Sequence, residues 1–318
     1  GVGAITARRV SLIDIPALIG AAGQAQSTDS VSQVTRGNPL AALHALSFLG
    51  FATNSYTALW EEDSQACWFG RASHAEGEVC SRLDFVARAH ASQPEDLVFL
   101  LEELIRVCGT WGARYILADI PTGSDLLPAF RRADFSVWSQ ERIYRYRGDF
   151  SPRGKSGNPW RQWTDRDVKA MQALHRSVVP RLFQNIEPLS RKKAQGLAAC
   201  DQSGKLIAFA DLVYGPKGIW LQPMLDPAVD APDLLRDLVL AVPNRFGRAV
   251  YLSARSYQAR LGASLAGQPF SLEQEISRMT RPLVIQDKLP ALEGQTVYET
   301  NNNEGGVPVT QCRHKKAA

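Results

Sequence analysis

Trp111-Gly112-Ala113-Arg114-Tyr115-Ile116-Leu117-Ala118 is answered later in the chain by Phe246-Gly247-Arg248-Ala249-Val250-Tyr251-Leu252-Ser253. The spacing between the two stretches is the same as that between Phe135 and Phe270. Between these markers each copy passes from a β-prone apolar run, through a polar stretch and a short amphipathic segment, to a Phe. A strand then follows, Arg142-Ile143-Tyr144-Arg145-Tyr146 in one copy and Glu275-Ile276-Ser277-Arg278-Met279 in the other. A repeat of this length is a duplicated domain and not a solenoid unit.

Working outward, each copy gives the same order of elements. In the first, residues 5–10 form a strand. Asp14 and Pro16 open a helix, residues 27–38 are a polar loop, and Asn38-Pro39 starts a second helix over residues 40–46. Three strands over residues 55–61, 66–72 and 79–88 are separated by turns and read as an antiparallel meander. Leu97, Leu100, Leu101, Leu104, Ile105 and Cys108 recur with the helical period. A strand, a short helix and a last strand complete the copy. The second copy opens at Arg161-Gln162-Trp163-Thr164-Asp165-Arg166-Asp167, which repeats the pattern of Arg8 to Asp14. The reading divides the chain into a first domain (1–148), a Gly/Pro linker (149–159), a second domain (160–288) and a polar tail (289–318) expected to be disordered.

The chain has 318 residues, 45% of them hydrophobic, and a formal net charge of +4. Its basic residues are spread along the chain, which argues against a nucleic-acid partner. Five cysteines without a C-x-x-C pair make a poor disulfide framework, and Cys67, Cys80 and Cys108 read as core thiols. No apolar run is long enough to span a membrane and no secretory signal is visible, so the expectation is a cytoplasmic protein without membrane contact. Metal-spaced His/Cys clusters, Ser-His-Asp contexts and Walker-type glycine loops are absent from the sequence, and no metal is expected.

The element order, with Leu127-Pro128-Ala129-Phe130-Arg131-Arg132-Ala133-Asp134-Phe135 closing the short helix, resembles the acyl-CoA N-acyltransferases of the GNAT superfamily. The resemblance implies an α/β (α+β) fold of two tandem GNAT-like domains. Each would hold a mixed, mostly antiparallel sheet flanked by helices. It also implies acetyl-CoA or another acyl-CoA as cofactor and a small-molecule or peptide amine as acceptor. In the family, a glycine-rich turn between the fourth strand and the long helix binds the pyrophosphate through free backbone N–H groups. Here that turn is His90-Ala91-Ser92-Gln93-Pro94-Glu95-Asp96, so His90, Ala91, Ser92, Gln93 and Glu95 stand at the cofactor position. Its counterpart is residues 225–233, with two prolines and three aspartates. Neither turn contains glycine. The family's Tyr general acid is replaced by Phe130 and Leu265. Among Glu61, Glu62, Glu78, Asp84 and Asp119, Asp119 is the first choice as base, at the end of the strand beside the splay. Its plainer reading is a turn or N-cap carboxylate near Thr122 and Ser124, and His90, a base or ligand contact at the end of the fourth strand, reads more plainly as a hydrogen-bonded surface residue. Asp211 is expected to face solvent.

The resemblance implies two functions. One is acyl transfer, in which an amine attacks the thioester, Asp119 or a water it holds acts as base, and a splay N–H stabilises the oxyanion. The other is a non-catalytic tandem module that binds a protein or small ligand in the groove between the copies.

Overall fold

The computed structural model describes residues 6–40, 54–90, 92–151, 158–189, 196–229 and 231–283. In the first half these form β1 (Thr6–Arg9), α1 (Ile15–Gly20), β2 (Ala25–Ser27), α2 (Ser30–Arg36), β3 (Ser55–Glu62), β4 (Gln65–Ser73) and β5 (Cys80–Arg88). They are followed by α3 (Leu97–Thr110), β6 (Tyr115–Pro121), α4 (Leu127–Arg132) and β7 (Ser136–Tyr146). The second half gives β8 (Trp160–Gln162), α5 (Val168–Val178), β9 (Gly196–Cys200), β10 (Leu206–Tyr214) and β11 (Gly218–Leu225). It ends with α6 (Ala231–Ala241), β12 (Ala249–Arg255), α7 (Ala259–Leu265) and β13 (Phe270–Pro282). Of the helix expected over residues 40–46 only Leu40 is described, in a turn; residues 41–46 and the tail from residue 289 lie outside the described residues, as does Cys312. No helix among the described residues is long and apolar enough to cross a membrane.

One continuous sheet runs β1-β3-β4-β5-β6-β13-β7-β12-β11-β10-β9-β8, with β2 attached to β5. Only β5/β6 and β11/β12 pair in parallel; the rest of the sheet is antiparallel. The last strands are exchanged between the halves. β13, from the second half, pairs with β6 of the first, and β7, from the first half, pairs with β12 of the second. β7 and β13 also pair with each other.

The cores follow the exchange. Leu97, Leu100, Leu101 and Leu104 of α3 pack with Phe130 and Phe135, and Met279 of β13 joins them. Leu234, Leu235, Leu238 and Val239 of α6 pack with Leu265 and Phe270, together with Tyr144 and Tyr146 of β7. Each buried side chain of this size contributes about 1.5–3 kcal/mol, so each half takes part of its stability from the other half's strand. Gly70 sets the spacing of α3 on the sheet: a Cβ there would lie 2.9 Å from Leu100 Cδ2 and 3.1 Å from Leu104 Cδ1.

The duplication extends to the opening of each half. Arg8 holds Asp14 at 2.8 Å while the Ser11 amide donates to the same carboxylate at 2.7 Å. Arg161 holds Asp167 at 2.7 Å while the Thr164 amide donates to it at 2.7 Å. Asp14 was expected to cap α1 with its side chain; its carboxylate instead serves Arg8 and the Ser11 turn.

Residues 27–38, expected as a loop, contain the end of β2 and all of α2. Their polar composition hides the helix, which is set by its end and its docking site. Asp29 caps it by accepting from Val31 N at 3.2 Å, and Gly37 ends it at φ +85. Val31 and Val34 pack against Trp220, Ile143 and Ile276, so tertiary contact stabilises a helix too short to persist alone. The last strand of the first half also begins earlier than expected, at Ser136.

Candidate functional site

In each half the parallel pair separates partway along its length, which is where the resemblance places the cofactor and acceptor. β5 and β6 stay in register at Cys80/Tyr115, Ser81/Ile116 and Arg82/Leu117 and then diverge. The gap is filled by the chain itself. Ala25, Gln26 and Ser27 of β2 pair with Ala87, Val86 and Phe85. Thr28 then bridges the two strands: its N–H donates to Asp84 O at 3.1 Å and its carbonyl accepts from Asp119 N at 2.9 Å. Thr28 is 2% exposed. The strand groups that a thioester or its oxyanion would meet are already paired.

The second splay opens after Leu221/Leu252. Here Gln258 takes the place of a strand. Its amide nitrogen donates to Pro223 O at 3.0 Å, and its amide oxygen accepts from Arg255 N at 3.0 Å. Pro223 faces this gap and has no N–H to offer an oxyanion.

The turn before α3 is also closed. The Gln93 N–H donates to the Asp96 carboxylate at 3.0 Å and the Ser92 N–H to His90 O at 2.7 Å. The carboxylate of Asp96 therefore occupies the anion-attracting start of the helix. Glu95 is half-buried beside it and His90 is exposed, while Ala91 lies outside the described residues. In the second half, Asp226 closes the matching turn by accepting from Ala228 N at 3.0 Å. The residues present at the first turn and the first splay do not fit an acyl-CoA, and in the second half Asp226 and Gln258 stand at the corresponding places.

Asp119 stands elsewhere than a free base would. It is 4% exposed, accepts from Arg278 Nε at 3.0 Å and from Ser30 N at 3.2 Å, and lies 2.9 Å from the Ser30 hydroxyl. Burial works to raise its carboxyl, but the charges of Arg278 and Arg82 overcome this and hold it below the usual carboxylate range. Arg278 also reaches Glu187 at 3.2 Å. Glu187 in turn holds Arg255 at 2.8 Å, Gln222 at 2.8 Å and the Tyr257 hydroxyl. Arg255 and Ser253 both donate to Glu141, which lies 3.1 Å from Ser30. Trp138 covers the Arg278 guanidinium, 5.0 Å from the ring centre.

The result is a buried set of three carboxylates and two guanidiniums drawn from β6, β7, β12 and β13 and the segment after α5. None of Glu141, Glu187, Arg255 or Arg278 was singled out from the sequence. For Glu141 and Arg278 the signal was strand parity, since Glu141 shares a face with Ile143, and Arg278 with Ile276. The other first-half candidates lie apart. Glu61 pairs with Arg8, Asp84 with Arg71 and Ser73, and Glu62 and Glu78 are exposed. No contact joins Asp119 to His90 or Glu95.

Asp211 is half-buried and not solvent-facing. Burial first, and the nearby charge of Glu187 second, push its carboxyl up to about 6. A raised acid binds its proton more tightly in the folded state, so its contribution is favourable at low pH and is lost as pH rises from about 4 through 6. Asp211→Asn should therefore be about 1–2 kcal/mol more stable than the parent at pH 7.5, with the difference vanishing near pH 4. Urea midpoints across that range test this; a constant difference would remove Asp211 as the cause.

Beside these charges a cleft of about 590 Å³ lies between the halves, lined by Thr122, Gln140 and Arg142 from one and Ser256, Ala259 and Glu275 from the other. Its size is that of a small-molecule site. Arg142 and Glu275, register partners on β7 and β13, pair on its wall at 2.9 Å.

Comparison with solved structures places this architecture. A GCN5-related N-acetyltransferase from Sphaerobacter thermophilus superposes with a TM-score of 0.54 at 12% identity, over 87% of this chain and 95% of that one. A tandem GNAT protein from the clavulanic acid biosynthesis pathway superposes with a TM-score of 0.51 at 12% identity, over 88% and 98%. The chain thus has the GNAT fold in tandem, two GNAT-like domains with mostly antiparallel sheet flanked by helices. No sequence-family profile and no curated protein sequence matches it.

Proposed function

We propose that the chain is a non-catalytic tandem GNAT-fold module that takes a small ligand or a protein segment in the groove between its halves. The observation that carries this reading is the strand at residues 25–28, which occupies the first splay as the cofactor would. The capped turn at Asp96 and the Gln258 amide in the second splay support it. The cleft at Arg142 and Glu275 supplies the groove.

Thermal unfolding with acetyl-CoA tests the proposal, because a ligand that binds only the native state at a hundred times its Kd adds about 2.7 kcal/mol. The expected result is an unchanged Tm at millimolar acetyl-CoA. A rise of several degrees would overturn the reading.

One observation favours a second reading, an acyl-CoA-dependent N-acyltransferase acting on a small-molecule or peptide amine through its second half. There the splay is closed by one side chain alone. On that reading the Tm of the parent should rise with acetyl-CoA and Gln258→Ala should enlarge the rise; a parent and a variant both indifferent to acetyl-CoA would dismiss it.

A further inference from the structure

Within α7, Gly262 stands where the fold does not ask for glycine. Its backbone is helical, its N–H donates to Gln258 O at 3.0 Å, and a Cβ there would meet nothing within 4 Å. Glycine inside a helix is less favourable than alanine, so neither packing nor backbone strain accounts for it. Gly262 lines the cleft between the halves, and Ala259, Ala263 and Ala266 line it on the same side. The first copy shows that the duplicated fold does not require small residues here. Counted back from Phe135 and Phe270, the positions of Gly262, Ala263 and Ala266 hold Leu127, Pro128 and Arg131. The small-residue wall belongs to the second half alone.

The charges around this wall are balanced. Arg142 Nε donates to Glu275 Oε1 at 2.9 Å, with the two side chains 58% and 47% exposed. Glu141 and Arg255 line the cleft as well, both buried and bonded to each other. Two guanidiniums and two carboxylates leave no net charge, so a ligand with a single charge would leave one sign unmatched. The exposed pair is weak enough to be shared with a ligand. Its two signs lie side by side, as the ammonium and carboxylate of an α-amino acid do. Gln140 and Ser256 add neutral hydrogen-bonding groups, and the α7 wall offers methyl groups and bare backbone.

We propose that this cleft takes a free α-amino acid with an apolar side chain, an assignment that rests on the groove reading above. Its carboxylate lies on the Arg142 guanidinium, its ammonium on Glu275, and its side chain along the Gly262 face of α7.

Isothermal titration calorimetry of the full chain tests it with L-leucine, with 4-methylpentanoate, which lacks the amine, and with 3-methylbutylamine, which lacks the carboxylate. Leucine should bind about tenfold more tightly than either analogue. Arg142→Ala should weaken leucine about tenfold and leave 3-methylbutylamine unchanged. Glu275→Ala should weaken leucine to the same degree and leave 4-methylpentanoate unchanged. Gly262→Leu should abolish leucine binding with a Tm no lower than the parent's. Analogues that bind as well as leucine, or a Gly262→Leu variant that binds leucine like the parent, would overturn the proposal. Absence of leucine binding would overturn it too. With the Tm still indifferent to acetyl-CoA, the groove reading then survives without this ligand; with a Tm raised by acetyl-CoA, both fall.

Discussion

Arg278→Leu should cost about 3–5 kcal/mol of stability, a large part of the roughly 5–15 kcal/mol that a folded protein has in total. Arg278 faces both Asp119 and Glu187 and is 5% exposed. Its removal leaves two buried carboxylates short of a counter-charge. Burial works to raise the Glu187 carboxyl, and Arg255 and Arg278 together hold it far below the ordinary carboxylate range. Carboxyls depressed in this way contribute stability above their unfolded pKa and lose it as pH falls. The variant should therefore show a flatter acid limb than the parent. Neutralising the stranded acids as well, with Asp119→Asn and Glu187→Gln, should recover more than about 1 kcal/mol by coupling. Urea unfolding from pH 3 to 7 reads both effects. A loss below about 1 kcal/mol would mean that the arginine is solvated and not a buried counter-ion.

Removing β13 by ending the chain at Gln268 should abolish cooperative unfolding in both halves. The deletion takes Phe270 from the second core and Met279 from the first. It also leaves β6 and β7 without the strand that joins them. The complementary experiment cuts the intact protein at a protease site inserted within residues 152–157. The fragments should co-elute in gel filtration, because one long strand crosses from each half into the other. If the truncated chain retains a native first half by hydrogen exchange, the exchanged strand is dispensable and the interlocking is not what stabilises that half.

The sequence was clear where one local pattern settled the structure. The 3.6-residue period of Leu97 to Cys108 gave α3, and the β-prone runs gave the meander. The recurrence of Arg8 to Asp14 at Arg161 to Asp167 marked the start of each copy, and the two ion pairs match. The strand exchange was invisible because β7 and β13 have the same composition whichever β6 or β12 they join; partner choice is a tertiary matter. The plug at residues 25–28 was hidden for a similar reason. A three-residue strand has no periodicity, and it is stabilised by the vacant edge of β5. Gln258 could be read as a residue before a short helix, yet its role depends on a gap thirty-odd positions earlier.

The exchanged strands also bear on how the protein is made. A ribosome releases β6 and β7 well before it reaches β13, and at about 5–20 residues per second the interval is on the order of ten seconds. Throughout it the nascent first half presents two strand edges with no partner between them, which are templates for pairing with another chain. A second polypeptide emerging nearby at the same stage offers the same edges. Crowded polysomes should thus favour chains interlocked with their neighbours, and slower initiation or lower expression temperature should raise the yield of monomer.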